Sequence, residues 1–225
     1  MAVEPRSALL LGATGLVGGH CLRLLLDHSA FSRVMVLARG MATREHPQLE
    51  WQVADFEALE DHARLFAVDA VFCCLGTTRA KAGSANAFRR VDHDYPLAAA
   101  SLAARQGARQ FLLVSSMGAN PESRFLYPRV KGDLEEALRN LSLVGVHIFR
   151  PSFLQGRRRE RRIMERIGSG FLSAGAPLLV GPLRRWRPIH AATVARAMVR
   201  TAVGGVLGYH VYPSDELAWM GRAEP

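Results

Sequence analysis

Short apolar runs punctuate the chain at regular intervals, and longer stretches with helical periodicity fill the gaps. The runs Ala8–Leu11, Val34–Ala38, Trp51–Ala54, Ala70–Leu75, Phe111–Ser115, Val146–Arg150 and Gly208–Tyr212 are strand-sized and nearly free of polar alternation. Such continuous apolarity predicts strands buried on both faces. Segments near Leu16–Leu26, Phe56–Leu65, Asn86–Gln106, Leu126–Leu141, Glu160–Gly168 and Ala192–Val203 read as helices. Strand, helix and strand in regular succession imply parallel pairing through right-handed crossovers. The predicted class is therefore α/β, with one doubly wound parallel sheet. Ligands of such sheets sit beyond the carboxyl ends of the strands, near the switch in strand order.

The chain has 225 residues, 49% of them apolar, which suits one domain with its own core and excludes a disordered class. No apolar run reaches the roughly 18–20 residues of a membrane span. The opening segment MAVEPRSALLLGATG lacks the layout of a signal peptide, so the expectation is a cytoplasmic protein. Cys21, Cys73 and Cys74 have neither zinc-site nor disulfide spacing and read as small core residues. The histidines show no metal-ligand spacing either, so no metal site is expected.

Charge adds one regional feature. Lys and Arg total 29 against 20 acids, and Lys81 and Lys131 are the two lysines. From Arg150 to Arg200 there are twelve arginines against Glu160 and Glu165. This basic stretch is either a solvated face or a contact for a negatively charged substrate or partner. No helix-turn-helix, zinc or aromatic-platform motif accompanies it, so nucleic acid is set aside.

Directly after the first predicted strand comes Gly12-Ala13-Thr14-Gly15-Leu16-Val17-Gly18, opening a helix. This GxxGxxG spacing is a variant of the dinucleotide fingerprint of Rossmann domains. Gly12 permits the tight turn, Gly15 admits backbone N–H groups to a pyrophosphate, and Gly18 packs the helix closely on the strand. The second strand ends at Arg39, 21 residues past Gly18, where an acid would accept the ribose 2′-hydroxyl of NAD(H). A guanidinium there suits a 2′-phosphate, so NADP(H) is favoured over NAD(H). Asp55 falls where an acid meets the adenine amine, or where it caps a helix. Leu75 and Gly76 end the fourth run and would pass beneath the adenosine ribose.

The fifth run ends Val114-Ser115-Ser116, and eleven residues after Ser116 comes Tyr127-Pro128-Arg129-Val130-Lys131. Tyr127 and Lys131, at i and i+4, share one helix face. A phenol is a poor acid or base at neutral pH, and an adjacent ammonium favours its phenolate. A serine hydroxyl orients a carbonyl or alcohol. Ser116, just beyond the strand, is the candidate, and Ser115 is the alternative.

In this order the residues resemble the short-chain dehydrogenase/reductase superfamily over roughly Ser7 to Arg150. FCCLGTTRAKAG (Phe72–Gly83), VDHDYPL (Val91–Leu97), SSMGANPESRFLYPRVKGDLE (Ser115–Glu135), FRPSFLQGRR (Phe149–Arg158) and PIHAATVARAM (Pro188–Met198) are similar to the Tat-interacting-protein subgroup of its atypical members and their bacterial NAD(P)-binding relatives. The resemblance implies an NADP(H) site in which Thr14, Gly15, Leu16 and Val17 line the phosphates and Arg39 lies near the 2′-phosphate. It places Leu75 and Gly76 beside the ribose, Tyr127 as proton acceptor with Lys131 as its partner, and Leu154 and Arg162 near the nicotinamide end. It also implies a homodimer or a protein partner.

One Rossmann domain over 1–225 is expected, with the C-terminal third, about 151–225, completing the sheet and capping the substrate side without a separate substrate domain. The leading function is an NADP(H)-dependent oxidoreductase acting on a small carbonyl or alcohol. The alternatives are a non-catalytic NADP(H)-binding redox sensor and a sugar-nucleotide epimerase or dehydratase. The 75 residues after Arg150 are too few for the epimerases' substrate lobe.

Overall fold

The computed structural model describes residues 5–42, 45–156 and 185–222. Its main sheet runs β1 (Arg6–Leu11), β2 (Phe31–Ala38), β3 (Leu49–Val53), β4 (Ala70–Cys73), β5 (Gln110–Val114), β6 (Gly145–Arg150) and, after an excursion, β9 (Gly208–Pro213). The spatial order is β3-β2-β1-β4-β5-β6-β9, and every neighbouring pair is parallel. Order reverses between β1 and β4, so the crevice for a ligand opens there. A separate parallel pair, β7 (Leu154–Gln155) and β8 (Ile189–His190), lies beyond β6. The fold is a single Rossmann-like α/β domain, and β9 in the C-terminal third completes its sheet.

Helices cover both faces of the sheet. On one face α1 (Leu16–Asp27) and α6 (Ala191–Gly204) bury Leu22, Leu25, Val194 and Met198 against Leu10, Val36 and Phe72. On the other, α4 (Tyr95–Arg105), α5 (Leu126–Arg139) and a 3₁₀ helix over Phe56–Phe66 cover Leu9, Leu11, Phe111 and Leu113. The alternation of Leu9 and Leu10 between two cores explains why the central strands are apolar at every position.

Several expected elements differ. The strand expected at Trp51–Ala54 is Leu49–Val53, and it is half exposed because it forms the sheet edge. The opposite edge, β9, is likewise mostly half exposed. The segment Phe56–Leu65 coils as a 3₁₀ helix with a non-helical residue at Ala58. The single helix expected over Asn86–Gln106 is broken into α3 (Ala85–Arg89), a π turn (Arg90–Asp94) and α4. Pro96 has no N–H to return to the carbonyl four residues back, and the wider turn takes up the mismatch. That turn buries Asp92 and His93. Arg79–Ala82 adds a short helix, α2, which Thr78 caps. The helix expected at Glu160–Gly168 lies outside the described residues.

One buried histidine ties β6 to its neighbours. The His147 Nε2–H donates to the Val206 carbonyl oxygen at 3.0 Å, and its Nδ1 accepts from the Tyr212 hydroxyl at 3.0 Å. Burial, more than any neighbour, pushes this imidazole down to about 4. An unfolded histidine titrates near roughly 6.5, so below that pH the unfolded chain binds a proton the folded chain refuses. Stability contributed by His147 is therefore full at neutral pH and falls as pH drops from about 6.5 toward 4. Urea denaturation is expected to show wild type losing on the order of 2 kcal/mol more than a His147→Gln variant between pH 7 and 4.5. Parallel pH profiles would contradict this.

Candidate active site

The glycine turn forms as its spacing requires. Gly12 has φ +83°, a region an L side chain rarely adopts. The Gly15 N–H donates to the Gly12 carbonyl at 2.8 Å and closes the turn. A Cβ at Gly18 would overlap that same Gly12 carbonyl oxygen, so α1 lies directly on the turn. The first turn of α1 carries no capping side chain and no acid, which leaves its N–H groups for an anion. Thr14 is exposed, Leu16 half-buried and Val17 buried.

A cleft of about 270 Å³ opens at this turn, at the switch in strand order. It is lined by the turn residues Gly12, Thr14 and Gly15, by Leu75 and Gly76, by Arg39 and Gly40, and by Phe56 and Tyr95. The cradle around Gly12, Gly15 and Gly18 has no room for side chains at the turn, which fits a dinucleotide's pyrophosphate. Arg39 has no carboxylate partner among the described residues. The Trp51 indole holds the adjoining loop by donating to the Gly40 carbonyl at 2.8 Å. Asp55 takes the second of its two expected roles. Its carboxylate accepts from the Glu57 N–H at 3.0 Å and caps the 3₁₀ helix.

Tyr127 stands in the first turn of α5, 44% exposed, with the Phe88 ring 5.7 Å away. The start of that helix is anchored where the Asn120 N–H donates to the Pro128 carbonyl at 3.0 Å. Lys131, one turn on, is buried and forms an ion pair with Asp92 at 2.8 Å. Burial would lower the lysine's pKa, but Asp92 first, then Tyr127 and Cys73, outweigh it and raise it above the ordinary value. The ammonium is thus retained inside the protein beside the phenol.

Asp92 is the residue that the sequence pattern did not single out. Its other oxygen accepts from the Thr77 N–H at 2.8 Å, and Thr77 follows Gly76 of the cleft wall. One carboxylate therefore links the cleft to Lys131 and, through it, to Tyr127. The available signal was an acid next to apolar positions in VDHDYPL, just ahead of the predicted helix.

The two serines have different neighbours. The Ser115 hydroxyl donates to Glu135, whose carboxylate also receives Arg150 Nε at 3.0 Å. Among the described residues the Ser116 hydroxyl makes one hydrogen bond, 3.3 Å to the Met117 carbonyl. Leu154 lies in β7, half-buried against the α1 face, and at Gly156 the chain passes so close to Leu16 that a Cβ would overlap its side chain. Arg162 and its arginine neighbours lie outside the described residues. No helix among the described residues is long and apolar enough to cross a membrane.

Residues 12–175 match a family described as NAD(P)H-binding. Protein HTATIP2 of Rattus norvegicus is 37% identical over 205 residues, covering 89% of this chain and 83% of that protein. The mitochondrial protein FMP52-1 of Scheffersomyces stipitis is 34% identical, covering 87% and 88%. Among solved structures, Bordetella bronchiseptica WbmH in complex with NAD+ superposes with a TM-score of 0.70 at 17% identity, covering 93% of this chain and 76% of that one. MoeE5 in complex with UDP-glucuronic acid and NAD gives 0.71 at 17% identity, covering 92% and 75%. The chain belongs to the NAD(P)H-binding family, within the Tat-interacting-protein group of short-chain dehydrogenase/reductase-like proteins. One expectation is corrected by these relatives: FMP52 proteins of several fungi are named mitochondrial, which overturns the cytoplasmic setting drawn from the opening segment.

Removing Asp92 strands a buried ammonium. Asp92→Ala is expected to cost about 3 kcal/mol or more in urea denaturation at pH 7. The conservative Asp92→Asn, which keeps the acceptor for Thr77, is expected to cost less. Equal, small losses for both would show that the pair is not a structural anchor.

Proposed function

We propose that the protein is an NADP(H)-dependent oxidoreductase that interconverts a small carbonyl compound and its alcohol, with Tyr127 as the proton-transfer residue. The observation that carries this reading is the buried Asp92–Lys131 pair, tied through the Thr77 N–H to the Gly76 side of the glycine cleft, with Tyr127 one helical turn before Lys131. The turn of Gly12, Thr14, Gly15 and Gly18, with the backbone of Leu16 and Val17, would hold the phosphates. Leu75 and Gly76 would face the ribose, and Leu154 the nicotinamide end. When bound, the nicotinamide supplies or takes up the hydride.

The chain's own residues manage the proton. In the reducing direction the carbonyl carbon gains the hydride, and the carbonyl oxygen takes the Tyr127 hydroxyl proton. The ammonium of Lys131 stabilises the phenolate left behind, and Asp92 keeps that ammonium charged. Ser116 donates to the carbonyl oxygen and fixes its direction. Arg39, with no acidic partner among the described residues, supports a preference for the 2′-phosphate.

Tyr127→Phe is expected to abolish NADPH-dependent turnover on a carbonyl panel while leaving NADPH affinity within about twofold in a fluorescence titration. A wild-type protein that oxidises no NADPH with any carbonyl, yet binds a protein partner only when loaded, would replace this reading with that of a redox sensor. Arg39→Ala is expected to weaken NADPH binding by roughly 10- to 100-fold, the worth of one or two charge-assisted bonds, with NADH binding little changed. Equal affinities of wild type for the two cofactors would remove Arg39 from its role.

A further inference from the structure

Arg39 owes its place to the residues on either side of it. It is exposed, just past the end of β2, where the chain leaves the sheet along the cleft. The carbonyl before it, of Ala38, accepts the Ala54 N–H at 2.9 Å. The carbonyl after it, of Gly40, accepts the Trp51 indole N–H at 2.8 Å. Both donors come from the edge strand β3 and the residue that follows it. The backbone of Arg39 is thus bracketed by two bonds from one neighbouring strand. One residue past Gly40, Met41 is 79% exposed, so the indole meets the chain where it turns out into solvent.

Trp51 suits this task. It pairs in register with Val36, and its half-buried ring packs against the apolar core on the α1 face. Tryptophan has an apolar body and a single N–H donor, so packing fixes the ring and the ring aims the donor. Trp51 does not line the cleft; it reaches the site through Gly40, which does. Sterics do not hold Gly40, since a Cβ there would meet nothing within 4 Å. The hydrogen bond supplies the position instead.

A guanidinium grips a phosphate monoester through a fixed fork of N–H donors. Holding the backbone beneath that fork before the ligand arrives removes an ordering cost from binding. A dinucleotide without the 2′-phosphate gains nothing from this. Resting on the reading of Arg39 as the 2′-phosphate contact, we infer that Trp51 is a positioning residue for cofactor specificity. Through the Gly40 carbonyl it sets the guanidinium of Arg39, and so β3 contributes to the selection of NADP(H) over NAD(H).

The test measures NADPH and NADH affinities by calorimetry, with 2′-AMP and 5′-AMP as fragment probes, for wild type, Trp51→Phe, Arg39→Ala and the double variant. Trp51→Phe keeps an aromatic ring on the core and removes the donor. It is expected to weaken NADPH and 2′-AMP binding about three- to tenfold, the worth of one hydrogen bond. NADH and 5′-AMP are expected to move by less than about twofold. In the Arg39→Ala background the same change leaves the NADPH-to-NADH ratio where it is, because the two residues act as one unit. Trp51→Leu, lacking ring and donor, is expected to shift the ratio the same way, and it keeps the test available if the phenyl ring disturbs the edge strand. Equal weakening of both cofactors makes Trp51 a support of the fold alone and overturns the inference. A ratio change that persists without Arg39 overturns it too. If Arg39→Ala lowers the ratio and Trp51→Phe leaves it intact, the inference falls and the reading of Arg39 stands. A wild type that binds NADPH and NADH alike removes that reading, and the inference with it.

Discussion

The ion pair between Lys131 and Asp92 sets the terms for everything around it. Both side chains are withdrawn from water, and two charges inside a protein persist only when their geometry is good and the remaining lone pairs are occupied. Here the second carboxylate oxygen is occupied by the Thr77 N–H. That requirement fixes three otherwise independent pieces of chain: the exit of β4, the π turn before α4, and the first turns of α5. The wide turn at Arg90–Asp94 is the local irregularity that lets an acid point inward at this depth, and π turns are found at functional sites for such reasons.

Much of the architecture was legible because it depends on local periodicity. Apolar runs that feed two cores at once, as Leu9 and Leu10 do, announce central parallel strands, and the strand–glycine–helix succession at Gly12–Gly18 places the crevice. The Tyr127–Lys131 spacing is equally local. What stayed hidden depends on partners distant in the chain. Asp92 acquires its meaning from a lysine in another helix, and Ser115 differs from Ser116 because Glu135 and Arg150 converge on one of them. The edge positions of β3 and β9 follow from strand order, which no single run encodes. The break ahead of Pro96 was missed although its cause is local, a missing N–H that the helix has to accommodate.

The structural neighbours show how little sequence the frame needs. At 17% identity the sheets of WbmH and MoeE5 still superpose on this one, because the frame asks for apolar alternation and glycine clearances rather than particular side chains. Those chains are longer, and this one spans about three-quarters of each. Chemistry resides in the loops grafted on the strand ends.

Gly156 offers a last lesson about how the two halves of the site constrain each other. Just past β7, a Cβ at Gly156 would fall 2.4 Å from the end of the Leu16 side chain, so the loop leaving β7 rests against the first residue of α1. Any bulk acquired at that contact would be felt on both sides at once. A residue larger than glycine there would have to displace the end of Leu16, which couples the loop after β7 to the helix that follows the glycine turn.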